Sequence, residues 1–177
     1  VSRFGATTHD EFLKAFTSLK QQGMQDLILD LQSNGGGYLS AAIEIANELL
    51  KKGELIVYTE GLHQPRISES SRSNGVYENG KLVILVNEGS ASASEIVSGA
   101  VQDWDRGVIV GRRTFGKGLV QRQFPIPGGS AMRLTVARYY TPTGRSIQKP
   151  YTQGDKENYN KDLINRYNNG EMMSADS

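Results

Sequence analysis

The order of apolar and polar residues divides most of the chain into alternating helical and extended segments. Apolar residues recur at helical spacing in the segment that ends before Gly23, and again at 39–50 and 92–104. Short apolar runs typical of buried strands separate them, at 27–31, 55–58, 81–87 and 107–111. Strands that alternate with helices favour a mainly parallel sheet with helices packed on it, so the pattern predicts an α/β fold.

The pattern changes after Lys117. Two segments of alternating polarity, 119–126 and 131–140, flank a turn rich in proline and glycine, which predicts a β-hairpin. The chain then becomes polar, and the spacing over 156–168 predicts a helix. We therefore expect a core over residues 1–150, followed by a polar C-terminal extension, residues 151–177, that contains one helix.

The composition of the chain excludes several kinds of functional site. The formal net charge of +1 gives no electrostatic reason to expect nucleic acid or a membrane as partner. The absence of cysteine excludes a thiolate nucleophile, a disulfide framework and a thiolate metal site. Two histidines, His9 and His63, are too few for a histidine-rich metal site. A metal site of either kind is therefore not expected.

The stretch GRRTFGKG, residues 111–118, nearly matches a phosphate-binding loop, but Gly118 stands where the loop needs serine or threonine. Such a loop must also open a helix, whose N-terminal N–H groups hold the anion. The following LVQRQFPIP alternates with period two and contains two prolines, so it predicts a strand. Lys117 is therefore expected in a loop before a strand.

Two small-residue turns follow predicted strands, at the sheet edge where ligands of open parallel sheets bind. In the first, 34–37, three adjacent glycines can bring backbone N–H groups close to a substrate, as an oxyanion hole requires. In the second, 88–95, Ser92 is either the N-cap of a helix, with Glu95 completing a capping box, or a nucleophile at the helix N-terminus. For the first turn, 34–37, the alternative to an oxyanion hole is a tight strand-to-helix turn without a catalytic role.

A serine nucleophile needs a base, and the candidates are His63 and Lys117. His63 lies in a polar segment without an obvious acidic partner, whereas His9 belongs to the start of a helix. A lysine can act as a base when burial lowers its pKa until it is uncharged. Lys117, between two glycines and beside Phe115, is the candidate, with a solvated surface lysine as the alternative.

Three segments resemble the carboxyl-terminal processing peptidases, or tail-specific proteases, which are serine proteases with a Ser-Lys dyad. LILDLQSNGGG is similar to the family's strand and glycine turn, LVILVNEGSASASEIVSGAVQD to its nucleophile strand, turn and helix, and VIVGRRTFGKGLVQ to its lysine loop. Together they span most of residues 25–140. The resemblance implies a crotonase-like α/β fold, with a mixed sheet and flanking helices.

The resemblance also assigns roles position by position. It implies Ser92 as nucleophile, Lys117 as general base and Gln121 as the residue that orients the lysine by a hydrogen bond. In a straight strand the α-carbons of Lys117 and Gln121 would lie about 13 Å apart. That bond therefore requires a bend, which Gly118 permits.

The implied oxyanion hole consists of the backbone N–H groups of Ala93 and Gly36, while Gly35 stands where the family more often has proline. Members usually carry a peptide-binding PDZ domain, which we expect to be missing upstream of Val1 in this chain. The resemblance implies a polypeptide substrate, cleaved near its C-terminus without a metal or cofactor. It also implies a location outside the cytoplasm, in the periplasm or attached to a membrane from outside. A homo-oligomer is one of the assemblies compatible with it.

Two rival functions stay open at this point. A crotonase-like fold can serve as a non-catalytic ligand- or peptide-binding module, because fold does not fix function. An acyl-CoA enzyme on the same fold would use the glycine turn to polarise a thioester, but it would need a carboxylate at the substrate carbon.

Overall fold

The computed structural model describes residues 1–151, 154 and 156–173. Five helices and seven strands are formed in these residues. In chain order they are α1 (Thr8–Gln21), β1 (Leu27–Asp30), α2 (Leu39–Leu49), β2 (Leu55–Gly61), β3 (Gln64–Ser70), β4 (Leu82–Val86), α3 (Ala93–Asp103), β5 (Val108–Gly111), β6 (Leu119–Pro125), β7 (Ala131–Tyr140), α4 (Lys156–Asn160) and α5 (Asp162–Asn168). None of the helices in the described residues is both long and apolar enough to cross a membrane.

Strands β1, β4 and β5 form a parallel sheet in that order. Alternate residues of its first two strands enter the core, Leu27 and Leu29 on β1 and Ile84 at the centre of β4. Helices α2 and α3 contribute further buried apolar side chains to the same core. Because parallel strands end at the same edge, the loops that follow β1, β4 and β5 lie side by side.

The remaining strands form a second, antiparallel sheet in the order β3-β2-β7-β6. The sequence pattern predicted a mainly parallel sheet that would include the segment of β2, and this was wrong. Strand β2 instead pairs with its neighbour β3 and, through Tyr58, Thr59 and Glu60, with β7. Hydrophobic periodicity identifies a strand but not its partner, which depends on contacts between residues distant in the chain. The fold is therefore mixed α/β, with one parallel and one antiparallel sheet.

The C-terminal residues carry two short helices, α4 and α5, where one continuous helix was expected. Arg166 of α5 is only 2% exposed, which makes it one of the most deeply buried large side chains. Its guanidinium donates hydrogen bonds to the backbone carbonyls of Arg113 and Thr114 and to the carboxylate of Glu171. Helix α5 is thus anchored to the loop between β5 and β6, which we call the lysine loop (residues 112–118).

Candidate active site

The loops after β1 and β4, here the glycine turn (34–37) and the nucleophile turn (88–92), are held together by buried hydrogen bonds. The carbonyl of Asn34 accepts from the backbone N–H of Ala91 and from the Ser94 hydroxyl, both at 2.9 Å. The Ser90 hydroxyl donates to the carbonyl of Leu31 at 2.8 Å. Because these groups are buried, each bond is costly to lose, and the two turns form one unit.

The hydroxyls of the three serines between β4 and α3, Ser90, Ser92 and Ser94, differ in their hydrogen bonds. Ser90 and Ser94 are fully buried, and their hydroxyls are engaged in structural hydrogen bonds. Ser92 is partly exposed, and its hydroxyl donates no hydrogen bond within the described part of the chain. Its oxygen stands in the capping-box position toward the Glu95 backbone N–H, an arrangement that leaves the hydroxyl proton without a partner. Ser92 is therefore the serine whose hydroxyl is free to react.

The backbone at Ser92 is strained. Its φ is 57° and its ψ is −110°, a region that residues other than glycine rarely adopt. Such conformations cost on the order of 1–3 kcal/mol and cluster at functional sites. The position between strand β4 and helix α3 resembles the turn on which serine hydrolases expose their nucleophile.

The glycine turn lies directly against Ser92. A side-chain carbon added to Gly36 would stand 2.7 Å from the carbonyl oxygen of Ala91, 2.8 Å from Ser92 Cβ and 3.0 Å from the N of Ala93. The φ of Gly36 is also positive, at 95°. Glycine is needed here for both reasons, and its absence of a side chain is what lets the two turns meet.

The two N–H groups of the predicted oxyanion hole differ in availability. The Ala93 N–H, at the first residue of α3, makes no hydrogen bond among the described residues. The Gly36 N–H donates to Oδ1 of Asn34 at 2.9 Å. Asn34 is fully buried, and its side-chain N–H donates to the carbonyl of Val1. An oxyanion would have to compete with this amide oxygen for the Gly36 N–H.

Lys117 lies in the lysine loop before β6, as expected, so GRRTFGKG does not open a helix. Its backbone N–H is bonded to Glu95 beside the nucleophile turn. Lys117 is exposed, and within the described residues its Nζ has no hydrogen bond or ion pair, with Ser92, Gln121 or any other group. Gln121 is exposed on β6, just after a register shift at Val120.

The Glu95 carboxylate is the main link between the nucleophile turn and the lysine loop, and sequence reasoning missed it. Glu95 is 5% exposed and accepts hydrogen bonds from Ser92 N–H at 2.7 Å and from Lys117 N–H at 2.9 Å. The capping-box pattern pointed to the first of these bonds. The second depends on the position of β5 beside β4, which the local pattern does not contain.

Two ion pairs hold the lysine loop, one to Glu88 of the nucleophile turn and one to Glu171 after α5. Arg112 contacts both carboxylate oxygens of Glu88, which holds the pKa of Glu88 below its ordinary value. Arg113 does the same for Glu171: their hydrogen bond lowers the pKa of that carboxyl and raises that of the guanidinium. Within the described residues no group of three or more histidine, aspartate or glutamate side chains could hold a metal ion.

The two histidines take no part in this site. His9 Nε2 is 2.8 Å from Oε1 of Glu48, and the pair joins helices α1 and α2. His63 lies in the turn between β2 and β3, at the rim of a cleft of about 1070 Å³ on the antiparallel sheet. That cleft is lined by β6 residues Val120 and Arg122, but not by Ser92 or Lys117.

A serine on a strained turn, beside a glycine turn and an open N–H, is the arrangement of a serine hydrolase. The chain belongs to peptidase family S41, whose family model matches residues 1–157. It is 40% identical over 167 residues to the chloroplastic C-terminal processing peptidase of Tetradesmus obliquus. It is 44% identical over 150 residues to the carboxyl-terminal-processing protease of a Picosynechococcus species. These alignments cover 92% and 84% of the chain, but 36% of each relative.

A solved structure agrees with the sequence relatives. The photosystem II D1 C-terminal processing protease superposes with a TM-score of 0.79 at 40% identity, covering 84% of this chain and 38% of that one. The match confirms the resemblance to carboxyl-terminal processing peptidases and places the chain in a family of serine proteases. The chain spans just over a third of the length of these relatives.

Proposed function

We propose that this chain is the catalytic core of a serine endopeptidase that cleaves polypeptides near their C-termini, with Ser92 as nucleophile and Lys117 as general base. The observation that carries the proposal is the state of Ser92. It is the one serine of the turn whose hydroxyl donates no hydrogen bond within the described residues, and it sits on a strained backbone against the glycine turn. Membership of the S41 family supports the same activity.

In the proposed reaction, Ser92 Oγ attacks the carbonyl carbon of the scissile peptide bond while the uncharged amine of Lys117 takes the hydroxyl proton. The N–H groups of Ala93 and Gly36 stabilise the oxyanion of the tetrahedral intermediate. Lys117 then returns the proton to the departing amine, which leaves an acyl-enzyme. The lysine next takes a proton from water, whose hydroxide attacks the ester carbonyl. As the ester bond to Ser92 Oγ breaks, the lysine returns that proton to Oγ, which restores the hydroxyl and the uncharged amine.

Two local changes must accompany the first step. The Lys117 amine, which bonds to no group in the described residues, has to meet the Ser92 hydroxyl, and Gln121 is proposed to hold it there by a hydrogen bond. The Gly36 N–H has to leave or share its bond with Asn34 Oδ1. Binding of substrate in the site supplies a reason for both, because a peptide excludes water and brings its own carbonyl to the N–H groups.

The wider setting is also proposed. We propose a crotonase-like fold, a catalytic core over residues 1–150 and an extension over 151–177. The full-length protein would carry a PDZ domain that captures substrate. A location outside the cytoplasm, for example in the periplasm, is supported by relatives such as the chloroplastic peptidase. Neither a nucleic-acid partner nor a cofactor is part of the proposal, and a homo-oligomer is compatible with it.

The test is covalent labelling by a fluorophosphonate probe in the full-length protein, with the labelled residue located by mass spectrometry. We expect one adduct on Ser92, none in Ser92→Ala, and labelling at least about tenfold slower in Lys117→Ala, because a positioned base contributes 10²–10⁴-fold. Ser94→Ala is the matched control, since its hydroxyl is buried in a structural bond, and it should still be labelled. A parent protein that stays unlabelled would favour the non-catalytic binding module. Labelling unchanged in Lys117→Ala would remove the lysine from its role.

A further inference from the structure

We propose that Glu95 is a positioning residue for the reaction, which fixes the backbone of the base relative to the backbone of the nucleophile. The inference rests on the proposed function, since it assigns a role in the Ser92–Lys117 chemistry. It concerns a carboxylate that touches neither the reacting hydroxyl nor the lysine amine, and that acts through main-chain N–H groups of both residues.

The Glu95 carboxylate receives four hydrogen bonds from two separate segments. Oε2 accepts from the backbone N–H of Ser92 at 2.7 Å and from that of Lys117 at 2.9 Å. Oε1 accepts from the Thr114 hydroxyl at 2.7 Å and from the Gly116 N–H at 2.6 Å. The backbone nitrogens of nucleophile and base are therefore bonded to the same oxygen atom.

This is more than a helix cap needs. A capping glutamate satisfies the N-cap N–H, here that of Ser92, and is usually exposed to solvent. Glu95 is buried, and three of its four bonds go to the lysine loop. An ionised carboxylate can accept four bonds because it has no donor of its own, and charge-assisted bonds are about twice as strong as neutral ones.

Other links between the two loops avoid the catalytic residues. The Phe115 N–H donates to the carbonyl of Ser90 at 3.0 Å, and Arg112 pairs with Glu88. These contacts hold the loops side by side but do not set the place of Lys117. The Gly116 carbonyl and the Gly118 N–H are bonded to Lys149 and Gln148, and the N–H of Lys117 itself is bonded to Glu95. Lys117 therefore keeps only side-chain rotation as a way to reach Ser92. An error of about 1 Å in such a placement can cost about 10² in rate.

Glu95→Gln is the sharpest variant, because it keeps the shape and changes the bonding. Whichever way the new amide faces, its NH₂ group meets a backbone N–H, that of Gly116 on one side or those of Ser92 and Lys117 on the other. We expect kcat on an unstructured polypeptide to fall about 10- to 100-fold with KM changed less than about threefold, because binding is not what Glu95 supports.

Glu88→Gln is the matched control. It removes a carboxylate that joins the same two loops through Arg112 but contacts neither catalytic backbone, so kcat should stay within about twofold of the parent. Thr114→Val removes one of the four hydrogen bonds to Glu95, so its kcat should lie between those of Glu95→Gln and Glu88→Gln. Equal kcat in Glu95→Gln and Glu88→Gln would overturn the proposal, as would a loss that appears only in KM. If Glu95→Gln does not fold, Thr114→Val against Glu88→Gln carries the same comparison.

Amide hydrogen exchange separates this inference from the proposed function. The N–H groups of Gly116 and Lys117 should be protected in the parent, lose protection in Glu95→Gln and keep it in Glu88→Gln. A parent in which these amides exchange freely would refute the role of Glu95 whatever its activity. A parent with protected amides that no probe labels at Ser92 would refute the protease proposal and leave the Glu95 link standing as structure.

Discussion

The substitution Gly36→Ala tests the contact between the glycine turn and the nucleophile turn. The new methyl group would meet the carbonyl oxygen of Ala91 at 2.7 Å, Ser92 Cβ at 2.8 Å and the N of Ala93 at 3.0 Å. Two of these three atoms belong to the backbone, so no side chain can swing aside to relieve the contact. The turns would have to move apart at the point where Ser92 is held.

The cost has two parts. Placing a side chain at a φ of 95° costs about 1–2 kcal/mol, and forcing an extra carbon into a packed contact costs about 1–3 kcal/mol. The free energy of unfolding should therefore fall by about 2–5 kcal/mol. For a protein of this size that lowers Tm by at least about 4 °C. The displaced N–H groups should slow fluorophosphonate labelling of Ser92 about tenfold or more.

Gly35→Ala is the control, because a carbon added at Gly35 meets no atom within 4 Å. Its φ is not positive, so alanine fits the backbone, and its stability should stay within about 0.5 kcal/mol of the parent. Thermal unfolding by circular dichroism and the labelling rate are measured on all three proteins. If Gly36→Ala has the same Tm as Gly35→Ala and is labelled at the parental rate, the turns do not meet as described.

Three further predictions concern the support of the site. Ser90→Ala should lower the free energy of unfolding by about 1–3 kcal/mol, because it leaves buried groups without hydrogen-bond partners. It should still be labelled at Ser92. Chemical denaturation measures the first effect and mass spectrometry the second. The pKa of Glu171 is lowered by Arg113, so its contribution to stability is present above the ordinary value of 4.5 and lost as pH falls through the lowered value. Glu171→Gln should accordingly lower Tm at pH 7, by an amount that shrinks as the pH falls below 4.5; a difference that does not change with pH would contradict the ion pair. Arg166→Ala frees two carbonyls of the lysine loop and should speed amide exchange in residues 112–118, whereas unchanged exchange would show that α5 does not anchor it.

The sequence predicted most of what local chemistry determines. The strand ends that carry the two turns and the position of Lys117 before a strand follow from hydrophobic period and small residues, and the structure confirms them. It could not assign β2 to the antiparallel sheet, because strand partners are chosen by contacts between distant segments. For the same reason the glutamate of the capping box gave no sign of its bond to Lys117.

The details of the site were less accessible than its location. Three serines share one turn motif, and only the fold shows that two of them are buried in structural bonds while Ser92 is not. That the Gly36 N–H bonds to Asn34 depends on side-chain packing around the turn. Whether the Lys117 amine meets Ser92 depends on the rotamers of a long side chain, which the neighbouring residues in the sequence do not determine.

The most direct measurement is a crystal structure of the full-length protein with a peptide boronate bound. The account predicts a bond between boron and Ser92 Oγ, with Lys117 Nζ within hydrogen-bond distance of that oxygen. It also predicts the N–H groups of Ala93 and Gly36 on a boronate oxygen. A boronate attached elsewhere, or one on Ser92 with the Lys117 amine still in solvent, would contradict the Ser92–Lys117 assignment.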